Sequence, residues 1–123
     1  MGAVFAQDTG FKIAADPDTV RGADVAFVRS EQLHRVRRQG FAELAPDLVA
    51  EVLSPDDRPG ELLAKIAEWL GAGTRLAWVI DPQGNEARVY RADGSVSVVP
   101  QEKALDGETV VPGFNCALEE VFR

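Results

Sequence analysis

The chain has 123 residues, 46% hydrophobic and 27% charged, enough for one domain with a real core and too few for two. Its formal net charge of −7 removes the usual electrostatic support for nucleic-acid binding at long range, although local patches matter more than the total. No apolar run approaches the ~20 residues of a membrane span, the start resembles no signal peptide, and the lone Cys116 excludes an intramolecular disulfide, so a reducing cytoplasm with no membrane partner is the expected setting.

Residues 2–7 and 10–14 are short runs with β-branched and aromatic residues around Asp8-Thr9-Gly10, and they predict a hairpin. Asp16-Pro17-Asp18 is a turn by its chemistry. Residues 23–28, Ala-Asp-Val-Ala-Phe-Val, predict a third strand, and the polar, basic stretch 29–40 predicts a short helix or irregular segment. Residues 48–53 form an apolar run of strand length bounded by turn residues, which predicts a strand covered on both faces.

After the loop 54–59, Leu62, Leu63, Ile66, Trp69 and Leu70 recur at helical spacing, with Gly71 and Gly73 as the stop. Residues 75–80 predict another buried strand closed by a turn at 81–85. Residues 86–91 and 95–99 alternate around Ala92-Asp93-Gly94 and predict an antiparallel hairpin. A short edge strand at 109–111 and a brief helix at 118–122 complete the expectation. Strands enclosing one clear crossover helix imply a mixed sheet with helical cover, an α/β (α+β) fold.

Glu51 lies inside the most apolar strand, where a charge is costly unless it is paired or holds a metal. Asp24, Asp47 and Lys65 are its candidate companions. Asp47 and Glu51 would stand roughly 13 Å apart along one strand, too far to share an ion. Asp24 lies on another strand, and neighbouring strands are ~4.8 Å apart, so Asp24 and Glu51 converge if the two pair. Asp47 then reads as a turn or cap residue at the strand mouth. Two carboxylates suit Mg²⁺, which can activate water for attack on phosphorus, while a lysine orients that water or neutralises developing charge.

Plainer readings stand beside these. Lys65 could make an ordinary surface pair with Glu61, four residues earlier. Asp24 could simply cap a turn, and Glu51 could be salt-bridged to Arg21 or Arg75. His34 and the run Arg35-Val36-Arg37-Arg38 read as a solvated face, although such a run can meet phosphates. Cys116 reads as a small buried hydrophobe.

Ala-Asp-Val-Ala-Phe-Val at 23–28, Pro-Asp-Leu-Val-Ala-Glu-Val-Leu-Ser-Pro at 46–55, Lys65, Trp-Val-Ile-Asp-Pro at 78–82 and Ala-Arg-Val-Tyr-Arg at 87–91 resemble, in order, the Uma family of bacterial restriction-endonuclease-like proteins. The family is similar to the PD-(D/E)XK nuclease superfamily, which implies a restriction-endonuclease-like mixed sheet, Mg²⁺ or Mn²⁺ as cofactor, and hydrolysis of nucleic-acid phosphodiester bonds by metal-activated water. On that resemblance Asp24 and Glu51 are the metal-binding acids and Lys65 is the catalytic lysine. Three departures follow. Leu53 occupies the usual lysine position, Ala23 stands where a proline usually precedes the first acid, and the family's extra N-terminal helix is missing ahead of residue 1. Residues 1–123 would thus be one domain, short at its N-terminus, with a bared sheet face that predicts either a partner subunit covering it, as in a homodimer, or a poorly active fragment. The alternative function is a non-catalytic, dimeric nuclease-like interaction module.

Overall fold

The computed structural model describes the backbone of residues 2–6, 11–15, 18–21, 24–31 and 44–122, and side chains from 24–31 and 44–122. A six-stranded mixed sheet organises the chain. Its strands are β1 (Gly2–Ala6), β4 (Val25–Arg29), β5 (Leu48–Val52), β6 (Leu76–Asp81), β7 (Glu86–Arg91) and β8 (Val96–Pro100), in that spatial order. Only β5 and β6 run parallel, joined by helix α1 (Pro59–Ala72); every other neighbouring pair is antiparallel. Two small ribbons stand apart, β2 (Phe11–Ala15) with β3 (Asp18–Arg21), and β9 (Ala104–Asp106) with β10 (Asn115–Ala117), the latter followed by the short helix α2 (Leu118–Val121).

The alternation of side chains splits the core into two layers. Ala26, Val28, Val49, Ala77 and Val79 face α1 and pack on its Ile66 and Trp69. Phe27, Leu48, Ala50, Leu76, Trp78 and Ile80 face the other way, onto Leu105, Val110 and Leu118 from the C-terminal segment. Both faces of β5 and β6 are therefore covered, as their unbroken apolar runs require. Trp69 is wholly buried, and removing such a side chain costs about 3–5 kcal/mol.

Helix α1 has legible ends. Pro59 opens it, where a missing N–H costs nothing. Gly73, at φ 118°, closes it in the left-handed region. The Gly73 and Thr74 N–H groups donate back to the Leu70 and Trp69 carbonyls at 3.2 and 3.1 Å, a Schellman turn.

Two expectations fail. Residues 2–6 do not form a hairpin with the next run; they pair with Val25–Arg29 inside the main sheet, and Phe11–Ala15 pairs instead with Asp18–Arg21. An almost wholly apolar strand gains more from a central sheet than from a ribbon, and Asp8-Thr9-Gly10 lies outside the described residues. Residues 109–111 are turn, not strand. Val110 and Val111 donate their N–H groups to the Gly107 carbonyl, and the edge ribbon is formed by the flanking segments. The basic stretch 32–40, with His34, lies outside the described residues beyond the single turn at Ser30 and Glu31.

Candidate functional site

Glu51 continues the row of Val49 on β5, the row that faces α1, and it is only 5% exposed. β4 meets β5 with Val25 opposite Ala50, so one further residue sets Asp24 opposite Glu51. The two acids thus come from adjacent strands at the same end of the sheet. The Val52 N–H donates to Asp24 Oδ2 at 2.7 Å, so this carboxylate takes over a backbone donor just past the end of the β4 ladder. The strand-cap reading of Asp24 holds, alongside its nearness to Glu51.

Lys65 projects from the middle of α1 back over the sheet. Its Nζ donates to Glu51 Oε2 at 3.1 Å, with the lysine side chain 30% exposed and the glutamate 7%. Among the described residues the partner of Glu51 is therefore this lysine, not Arg75; the side chain of Arg21 lies outside the described residues. Glu61 turns toward Arg58 instead, at 4.0 Å. Glu51 Oε1 is buried and accepts no hydrogen bond among the described residues. Burial pushes the Glu51 carboxyl above its ordinary value. The charge and hydrogen bond of Lys65 pull it back, the charge of Asp24 raises it again, and the Asp24 backbone N–H lowers it slightly. A buried carboxyl with one satisfied and one orphaned oxygen is a costly arrangement that packing alone does not need.

A cleft of about 430 Å³ opens over Glu51, lined by Asp57, Arg58, Glu61, Lys65 and Glu68 among others. Acids outnumber bases on its wall, so it repels a phosphodiester unless cations enter with it. Leu53, in the usual lysine position, lines a separate and more apolar groove on the far side of α1. Among the described residues, no three of the ligating types His, Cys, Asp and Glu gather closely enough to hold a metal by themselves. The donors that do converge, two hard carboxylates with one oxygen orphaned, fit a divalent ion that keeps several waters.

Asp47 does not join them. It is 2% exposed, accepts the Arg29 N–H at 2.8 Å, and receives the Arg75 and Leu76 N–H groups on its carbonyl, binding β4, β5 and the start of β6 together. The cap role expected at the strand mouth is what it performs. The sequence did not single out the cleft wall of Asp57, Arg58, Glu61 and Glu68. Its signal was the spacing of residues 61, 65 and 68, which shares one helical face.

The mixed sheet thus sets acids at the end of adjacent strands and a lysine on the crossover helix, and its fold is similar to that of a solved nuclease-like protein. A solved structure of a "putative nuclease belonging to DUF820" from Anabaena variabilis superposes with a TM-score of 0.81 at 20% identity, covering 98% of this chain and 68% of that one. Residues 1–119 match Uma2, described as "Putative restriction endonuclease", and the chain belongs to that family. No curated protein matches it.

Proposed function

We propose that the chain is a divalent-metal-dependent nuclease that hydrolyses nucleic-acid phosphodiester bonds in the cleft over Glu51. The observation that carries this reading is the buried Glu51 Oε1, without a hydrogen-bond partner among the described residues, beside Asp24 and Lys65. Asp24 and Glu51 would hold Mg²⁺ or Mn²⁺. A bound divalent ion supplies Lewis acidity toward a phosphoryl oxygen and makes water a better nucleophile. Asp24, anchored on the Val52 N–H, has its carboxylate held at the end of the sheet. Lys65 Nζ favours the ionised form of Glu51 against its burial and, through its exposed side, can turn toward the charge that develops on the phosphate. The acidic cleft wall makes nucleic-acid entry depend on cations, which accords with metal dependence.

Isothermal titration with Mn²⁺, paired with cleavage assays on plasmid and single-stranded DNA, tests the reading. Binding in the wild type, its loss in Glu51→Gln, and cleavage that needs the ion are expected. Unchanged Mn²⁺ affinity in Glu51→Gln overturns the site. The Lys65–Glu51 ion pair favours a second reading, a non-catalytic nuclease-like module in which this pair is merely structural; that reading expects no ion binding and no cleavage.

A further inference from the structure

We infer that β8 is a self-pairing edge through which two copies of this chain join their sheets, a proposal that stands independently of the nuclease reading. β8 is the last strand of the sheet. In its ladder with β7, the Arg91 N–H donates to the Ser95 carbonyl at 3.0 Å, and Arg88 stands opposite Val98. Antiparallel ladders alternate, so Ser95, Ser97 and Val99 bond inward, and the N–H and C=O groups of Val96 and Val98 point out of the sheet. Their side chains are 52% and 56% exposed, on the same face of the sheet as α1 but beyond the helix's cover.

Natural edges are usually blunted by short length, lysine, proline, an inward charge or a bulge, and of these β8 has only its five-residue length and the terminal Pro100. From Ser95 to Pro100 this edge carries no charge, and its register with β7 is unbroken. The occupant is a second copy because the strand complements itself. With the two-fold axis at Ser97, Val96 of each copy meets Val98 of the other, and every outward donor finds an outward acceptor, giving on the order of four interchain hydrogen bonds. Other registers do worse. One of them sets Pro100, which has no N–H, against Val96, and another uses Gly94, whose N–H already donates to the Arg91 carbonyl. The exposed valines then cover one another, and no like charges face each other within the strand, which matters for a chain of net charge −7.

One short strand pair buries much less than the ~1,600 Å² of a standard interface, so the dimer is weak, with a Kd on the order of 10–100 µM. Sedimentation equilibrium on the full chain, from about 1 µM to 1 mM, is expected to show a monomer–dimer equilibrium in that range. Val98→Lys should weaken it by at least about tenfold, while Val121→Lys, at an exposed valine on α2, leaves it unchanged. A direct probe does not depend on the lysine variant folding. In a Cys116→Ser background, Ser97→Cys places two cysteines at a non-hydrogen-bonded antiparallel pair, with Cα atoms ~4.5 Å apart, and should form an intermolecular disulfide with oxidised glutathione. Ser95→Cys should not. A monomer at every concentration overturns the proposal, including the case in which the edge takes up an extended peptide instead. So does a dimer that Val98→Lys leaves intact, or one that gives no 97–97 crosslink.

Discussion

Replacing Glu51 by glutamine separates a carboxylate kept for chemistry from one kept for the fold. The amide preserves shape and removes the charge. In the wild type, one oxygen is paired to a lysine that is 30% exposed and the other is buried with no partner among the described residues. An unsatisfied buried polar group costs about 1–3 kcal/mol, and more when charged. The half-solvated lysine returns less than about 1 kcal/mol of this. Glutamine still leaves one polar atom in that position and removes only the added cost of burying charge, so Glu51→Gln should gain about 1 kcal/mol at pH 8, a rise in Tm of about 3–5 °C for a chain of this size. The pH dependence has a definite sign. Burial raises the folded-state pKa of Glu51, so between its ordinary value of 4.5 and the raised value the folded state holds more protons than the unfolded one. Stability contributed by this group is then lost as pH rises through that window. Melts by circular dichroism from pH 4 to 8, without divalent ions, should show the advantage of the variant growing with pH. A variant that melts more than about 5 °C below the wild type at pH 8 would refute the reasoning, because Glu51 would then be part of the fold's own support.

Lys65→Met should act in the opposite direction. It leaves the Glu51 carboxylate buried without its cation and should lower stability by up to about 1 kcal/mol at pH 8, a loss that shrinks as pH falls and the buried carboxyl takes up its proton, as denaturant melts across that range will show. Asp24→Asn should keep the bond from the Val52 N–H, because the amide oxygen still accepts it, so Tm is expected within about 2 °C of wild type while Mn²⁺ affinity by titration falls. Gly73→Ala should cost about 1 kcal/mol, because φ 118° strains any side chain. Gly71→Ala, inside α1 where a Cβ meets nothing within 4 Å, should gain about 0.5–1 kcal/mol in the same melts.

Much of the fold could be read from residues 46–91. The runs at 48–53 and 75–80 are apolar on both faces, and the helical spacing of Ile66 and Trp69 between them leaves a parallel β-α-β unit as the natural solution. The pairing of the first strands could not be read. Asp8-Thr9-Gly10 argues locally for a hairpin, whereas the choice of Val25–Arg29 as partner for Gly2–Ala6 is made by burial across the whole sheet. The 109–111 error has the same kind of cause, since Thr109, Val110 and Val111 have strand propensity but sit in a turn over the second core layer. In the site, strand spacing alone separated Asp24 from Asp47 as the companion of Glu51. The lysine was ambiguous because Glu61 at four residues and Glu51 at fourteen were equally open to it, and only the tertiary placement of α1 decides between them.

The anchoring of the C-terminal segment has a consequence of its own. Arg91 grips Glu108 through both Nε and Nη2, at 3.0 and 2.8 Å, and also reaches Ser97 Oγ at 2.8 Å. Glu108 itself is held at φ 53°, a backbone state that non-glycine residues seldom adopt. The clasp ties the outer hairpin to the strap that seals the face of the sheet away from α1. Loosening either end should therefore free the other, making the last twenty residues and the β7–β8 arm one cooperative unit that opens before the central strands do.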